Sequence, residues 1–212
     1  MEKLSVALTA IAINCTLKRS GDETSSTDKM ISVIAGELAK HQVTLAETIR
    51  IADHDIKPGV TSDEGPGDAW PDIRKRILAA DIFVFGTPIW LGQPSSLAKR
   101  VLERMDAFFS ETDDSGRMPS FGKVVVVGIV GNEDGAHHVT AELLQALNDT
   151  GWTIPAQAAC YWVGEAMHKT DFKDLPKVPD NVQGLTGILA ANAAHLANLL
   201  RQNRYPGVPN NK

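Results

Sequence analysis

Apolar positions in this chain fall into short unbroken runs, and between the runs they recur every three or four residues. The first run, LSVALTAIAIN (4–14), is apolar and β-branched and stops at polar residues; it reads as a central strand buried on both faces. Residues 25–42 open with Ser-Ser-Thr-Asp and carry Met30, Ile31, Ile34 and Leu38 at helical spacing, which predicts a capped helix. VTLAETIRI (43–51) alternates and reads as a second strand. The Pro, Gly and Asp residues of 57–72 mark a loop, and AWPDIRKRILAA (69–80) a short helix. DIFVFGTP (81–88) and GKVVVVGIVG (122–131) read as buried strands three and four. A helix over 94–110 lies between them, and another over 136–151 ends at Gly151. The fifth strand falls within 152–164, interrupted near Pro155. An irregular stretch, 165–184, then precedes an Ala-rich helix over 185–203.

Strand then helix, five times over, predicts an α/β fold: a parallel sheet with helices on both faces and right-handed crossovers. No internal repeat is visible. The 212 residues suffice for one well-filled core, so a single domain over 1–204 is expected, with 205–212 a disordered tail. Ligands of such sheets sit beyond the C-terminal strand ends, where strand order reverses. The chemistry is therefore expected in the loops after strands one, three and four.

Composition narrows the choice. The formal charge is −5 with the basic residues scattered, which disfavours a nucleic-acid partner. Two cysteines, Cys15 and Cys160, without a CxxC pair or Cys/His cluster, give no expectation of a metal site. The opening MEKLSVALTAIAIN resembles a signal sequence only in its basic residue and apolar run; it reads better as the first strand. No segment approaches the ~20 apolar residues of a membrane span, and a cytoplasmic protein is expected.

The first loop, CTLKRSGDETSST (15–27), offers the hydroxyls of Thr16, Ser25, Ser26 and Thr27, with Lys18 and Arg19 beside them. It runs directly into a helix, whose free N–H groups and positive end favour a phosphate. Ser and Thr are also ordinary helix caps in a solvated loop. GxxxxGK[ST] and GxGxxG are both absent, so a hydroxyl-built site suits a mononucleotide better than a nucleoside triphosphate or a dinucleotide. The second loop lies in GTPIWLGQPSSLAKRVLERMD (86–106). There Pro88 fixes the backbone as it leaves the strand, Ile89, Trp90 and Leu91 stand at the sheet edge, and Gly92 permits close approach. A flat heteroaromatic ring would find a stacking partner and backbone N–H groups there; a Trp in such a place is equally a packing or subunit-contact residue. In the third, VGNEDGAHH (130–138), Gly131 and Gly135 bracket Asn132, Glu133 and Asp134. His137 and His138 lie at a helix start that disfavours the imidazolium; they are candidates for proton supply, or plain surface residues. Cys15 is read as a small buried strand-end residue rather than a redox thiol.

Taken together, these three loops resemble those of the flavodoxin-like NAD(P)H-dependent FMN reductases and quinone reductases. Thr16 and Lys18 take the places of that family's Ser and Arg, and Ser25, Ser26 and Thr27 its helix-start residues. Pro88, Ile89, Trp90, Leu91 and Gly92 are similar to its isoalloxazine loop, and Gly131–Gly135 to its Gly-rich loop. The resemblance covers roughly the first 160 residues and implies a three-layer, doubly wound, five-stranded parallel sheet of order 2-1-3-4-5. It implies FMN as cofactor, NADPH or NADH as donor, and a quinone, flavin or similar small molecule as acceptor. Backbone N–H groups near Trp90–Gly92 would meet the ring's pyrimidine edge and N5. A homodimer or homotetramer is expected, with loop 57–72 or 165–184 helping to cover the flavin; a plain surface loop is the other reading of each. The alternatives are a flavodoxin-type electron carrier, disfavoured by the modest negative charge, and a non-enzymatic mononucleotide-binding protein.

Overall fold

A computed structural model describes residues 7–166 and 168–209. Its elements are β1 (Leu8–Asn14), α1 (Ser26–Lys40), β2 (Val43–Arg50), α2 (Trp70–Ala79), β3 (Ile82–Trp90), β4 (Gln93–Pro94), α3 (Ser96–Met105), β5 (Val124–Gly131), α4 (Ala136–Asp149), β6 (Ala159–Val163) and α5 (Asp180–Gln202). The strands run parallel in the order β2-β1-β3-β5-β6. β4 is two residues folded back antiparallel on the end of β3. With β4 set aside, this is the five-stranded flavodoxin-like order expected from the sequence. Among the described residues no helix is long and apolar enough to cross a membrane.

The strand patterns follow position in the sheet. β1, β3 and β5 are interior and almost wholly buried, while the edge strand β2 alternates buried and open positions. Odd residues of β1 (Ile11, Ile13) face α2, α3 and α4, in a core with Phe83, Phe85, Val127 and Trp152. Even residues (Ala10, Ala12) face α1 and α5, with Met30, Ile34 and Leu189. α1 lies very close to the sheet. A Cβ at Gly86 would stand 2.8 Å from Ile31 Cδ1 and 2.9 Å from Thr27 Cγ2, and one at Gly128 2.9 Å from Ile34 Cδ1. Two glycines, Gly86 of β3 and Gly128 of β5, therefore let the helix settle onto those strands. The chain's order reverses between β1 and β3, and a crevice opens at the strand ends.

Four expectations shift. The first strand pairs from Leu8; its expected residues 4–6 lie outside the described residues. β3 continues past Pro88 to Trp90, because β1 stops pairing at Gly86 and leaves a free edge where a residue without an N–H is tolerated. α5 starts at Asp180 rather than 185: Pro179 precedes it, Asp180 suits its positive end, and Gly184 is absorbed within the helix. Of the expected tail, residues 210–212 lie outside the described residues. Tyr205 rests edge-on against Phe121 and meets Thr153 through its hydroxyl at 3.2 Å.

The long loop before α2 is organised by one buried cation. Arg104 donates to the carbonyls of Thr61 and Lys57 (both 3.0 Å) and to Asp68 (2.7 Å), and neither side chain of the Arg104–Asp68 pair has exposed surface. Asp68 also accepts from the N–H groups of Glu64, Lys57 and Trp70. Burial pushes its pKa up. Arg104 and the three N–H groups outweigh that and hold the carboxyl well below the usual carboxylate range. Its contribution is therefore fully present above the unfolded value of about 3.9 and is lost as pH falls. Removing the cation with Arg104→Met should lower unfolding free energy by about 3–5 kcal/mol in urea titrations. Asp68→Asn should be less stable at pH 7 and lose less than the natural chain on acidification below about pH 4.

Candidate functional site

The crevice begins at Asn14, the last residue of β1, whose side chain is fully buried. Its Oδ1 accepts from Thr16 N–H (2.9 Å), and its Nδ2 donates to Ser25 Oγ (3.1 Å) and Asp28 Oδ1 (2.5 Å). One amide thus ties strand end, loop and helix cap together. Ser25 and Asp28 form a capping box: Asp28 N–H donates to Ser25 Oγ, and Ser25 N–H to Asp28 Oδ2. Burial pushes the Asp28 pKa up, but the bonds from Ser25 and Asn14, and the charge of Arg50, bring it below the ordinary value. Arg50 pairs with Asp28 and donates to the Lys18 carbonyl at 3.1 Å, so the carboxylate at the helix start is neutralised from behind. Among the described residues no acceptor takes the N–H of Ser26 or Thr27. These donors stand at the positive end of a 15-residue helix, an arrangement that favours an anion.

Thr16, Lys18, Ser25, Ser26 and Thr27 line one end of a cavity of about 320 Å³. Ser25 lines it as the helix cap, its hydroxyl committed to Asp28. Ser26 Oγ accepts from Lys173 N–H at 3.2 Å, leaving its own proton for a ligand. Lys18 pairs with Glu23 in a solvent-exposed contact that exchanges readily. Arg19 is exposed and does not line the cavity. Cys15 is buried, and burial pushes its thiol pKa up, which suits the packing role.

At the other end the lining is apolar: Pro88, Ile89, Trp90, Val130 and Trp162, with Gly131, Asn132 and Glu133. The expected turn at Pro88 is an extended strand, and the reversal comes at Leu91–Gly92. Both of these have positive φ (53° and 73°), the arrangement of a two-residue hairpin turn. This puts Trp90 on the strand, about half exposed, and Leu91 at the tip, 91% exposed. Leu91, Gly92, Asp134 and Gly135 accordingly do not line the cavity. The N–H groups of Leu91 and Gly92 donate to the carboxylate of Glu133 (3.2 and 3.1 Å); they are not free, as the sequence reading had them. Gly135 backs onto the hairpin, where a Cβ would stand 2.8 Å from Gly92 Cα.

Neither histidine reaches the cavity. His137 meets the Tyr161 hydroxyl (2.9 Å) in a separate hollow; His138 meets Gln93 (2.9 Å) and Glu142 (3.1 Å). α4 starts at Ala136, so both side chains leave its first turn on the outside of the sheet end.

The sequence reading missed Asn14, Val130, Trp162 and Asp171. Trp162 comes from β6 itself, and Asp171 from the segment after it, which crosses the crevice as a strap. Asn132 Nδ2 donates to Asp171 (2.8 Å), Lys29 Nζ to the Leu175 carbonyl (2.7 Å), and Phe172 is fully buried beside Trp162 with ring centroids 5.4 Å apart. Lys173 sits among Asp174, Glu23 and Asp171, with Asp174 foremost in pushing its pKa up. Trp162, in the phase of the strand that faces α1, was a legible signal; Asp171 had none. Larger hollows of about 410 and 650 Å³ flank Tyr205. They lie near Thr153 and the start of β5, at the wrong end of the sheet for the strand-end loops and without an anion site.

The family model described as NADPH-dependent FMN reductase matches residues 9–167. The chain is 39% identical over 201 residues to the divalent metal cation transporter MntH of Mycobacterium bovis, a match that covers 92% of this chain but only 29% of that relative's length. It is 31% identical over 219 residues to 8-demethyl-8-aminoriboflavin-5'-phosphate synthase of Streptomyces davaonensis, covering 94% of this chain and 81% of that one. The crystal structure of RosB with bound 8-demethyl-8-formylriboflavin-5'-phosphate superposes with a TM-score of 0.84 at 31% identity, covering 94% of this chain and 82% of that chain. Flavodoxin structures share the fold at 11% and 14% identity, both with a TM-score of 0.55.

Asn14→Ala should strand buried partners at the loop and cap and cost about 1–3 kcal/mol of stability. Amide exchange at residues 14–28 should speed up more than at α5, as hydrogen–deuterium exchange would read.

Proposed function

The chain belongs to the family of NADPH-dependent FMN reductases, and from that membership we propose an FMN-dependent oxidoreductase that takes hydride from NADPH or NADH and passes two electrons to a small acceptor. Quinones, free flavins, and azo or nitro compounds are the acceptor classes in this reading. The observation that carries it is the joining, in one crevice, of an anion site to an apolar end of ring-binding character. The residues fit a flavin mononucleotide. Ser26 and Thr27 N–H, Ser26 Oγ, Thr16 and Lys18 would hold the phosphate, with Arg50 offsetting Asp28 behind them. Pro88, Ile89, Trp90, Val130 and Trp162 would take the tricycle, and the volume lies within the range of small-ligand sites.

FMN held by these residues would supply the redox chemistry of hydride and electron transfer. The protein's part is to orient the ring and keep one face reachable. Ile89 and Val130, both buried, exclude water from the inner side. Trp90 leaves the outer side open to a second ring. His137 is held by Tyr161 and His138 by Gln93 and Glu142, so protons come from water at the mouth. The exposed Leu17, Trp90, Leu91 and Val163 adjoin the cavity-lining residues. This apolar rim supports a homodimer or homotetramer in which a second copy narrows the mouth. A cytoplasmic setting belongs to the same reading.

A second reading has one specific support, the 31% identity to a synthase named for an aminoriboflavin phosphate. In it the flavin phosphate is itself the substrate and leaves chemically altered. Mass spectrometry of the recovered flavin separates the two: an unchanged mass marks a cofactor, a changed mass a substrate.

The purified protein mixed with FMN should show flavin absorption bands that survive gel filtration, and NADPH should bleach them in a stopped-flow experiment. A protein that binds FMN but is not bleached by either nicotinamide would be a carrier. Trp90→Ala should weaken FMN binding about 2–13-fold, the equivalent of ~0.5–1.5 kcal/mol for an aromatic contact, as read by quenching of FMN fluorescence.

A further inference from the structure

Leu91 adopts a left-handed backbone (φ 53°), which is costly for a residue with a Cβ. Its side chain is 91% exposed, so packing does not hold it there. Gly92 follows, also left-handed (φ 73°). The contact that spans both residues is the Glu133 carboxylate, 3.2 Å from Leu91 N and 3.1 Å from Gly92 N. Two backbone N–H groups on one ionised carboxylate are charge-assisted bonds, stronger than neutral ones. Glu133 reaches them from another loop, brought close because Gly135 presses on Gly92. Glu133 and Trp90 line the same cavity.

We propose that Glu133 is a positioning residue with an electrostatic consequence. It holds the hairpin tip in its left-handed turn and so fixes the orientation of Trp90. In doing so it occupies two donors that a bound ring could otherwise use, and it anchors a negative charge in the lining of the ring end. A reduced flavin carries more negative charge than an oxidised one, and a fixed carboxylate nearby disfavours that form. Glu133 therefore keeps the bound flavin a stronger reductant than a hairpin with free N–H donors would. The inference rests on the flavin reading above and deepens it by naming the residue that sets the potential.

Two variants separate the roles. Glu133→Gln removes the charge but keeps one oxygen acceptor; Glu133→Ala removes both. Asp149→Asn, at the far end of α4, controls for net charge. The midpoint potential of FMN-loaded protein is measured against dyes of known potential, and amide exchange at residues 89–94 is measured on the protein without FMN. Glu133→Gln should shift the potential positive, equivalent to several-fold tighter binding of reduced relative to oxidised FMN, while Asp149→Asn leaves it unmoved. Glu133→Ala should also speed exchange at Leu91 and Gly92 and weaken FMN binding several-fold. An unmoved potential in Glu133→Gln, or unchanged exchange in Glu133→Ala, overturns the proposal. Failure of the natural chain to bind FMN would instead sink the cofactor reading, and the exchange comparison would still decide whether Glu133 holds the tip.

Discussion

The site depends on one buried amide. Asn14 ends β1, and its three hydrogen bonds go to the turn at Thr16, the cap at Ser25 and the carboxylate of Asp28. A buried polar group must be paired or it costs free energy, so these three elements can meet in only one arrangement. That arrangement leaves the first N–H groups of α1 facing the crevice. Gly86 and Gly128 bring the rest of the helix down onto the sheet, and their lack of side chains sets how close the anion end comes to the strand ends. The negative charge of Asp28 would oppose an anion there. Arg50, from the end of β2, removes that conflict.

The apolar end of the cavity is held by a different logic. β3 outruns β1, so its last residues have neighbours on one side only, and the chain folds back as a two-residue hairpin. Trp90 is displayed because the strand beneath it is extended and the reversal comes after it. The hairpin is secured from β5–α4, and the cavity is crossed by a strap from β6–α5. Each of the two is tied down by hydrogen bonds between residues about 40 positions apart: Glu133 to Leu91 and Gly92, and Asn132 to Asp171. The aromatic pair Trp162–Phe172 fastens the strap to β6, and Lys29 and Lys173 fasten it to α1. The sheet supplies a rigid floor to the cavity, and its outer face is left to an exposed indole.

The Arg104–Asp68 pair plays no part in the cavity. It takes a Pro- and Gly-rich loop that would otherwise be loose and ties its carbonyls to α3. An ion pair without exposed surface is expensive to form, and removing one partner costs more than the pair contributes. Its place is to give the loop a single conformation beside α2 and α3.

Patterns of local origin were legible in the amino-acid order. Runs of Val and Ile gave the interior strands, the 3–4 spacing gave α1 and α3, and Ser25–Asp28 announced a helix start. The hydroxyl loop, the Trp90 stretch and the Asn132–Glu133 loop were readable as neighbours because strand ends on one side of a parallel sheet must converge. The roles within the site were not legible. That Leu91 and Gly92 spend their N–H groups on Glu133, that His137 is held by Tyr161, and that Asp171 enters from a strap all depend on side chains far apart in sequence. Periodicity records which face of an element is buried. It does not record which distant polar group satisfies which, because that is fixed only when packing brings the elements together and each buried donor must find an acceptor.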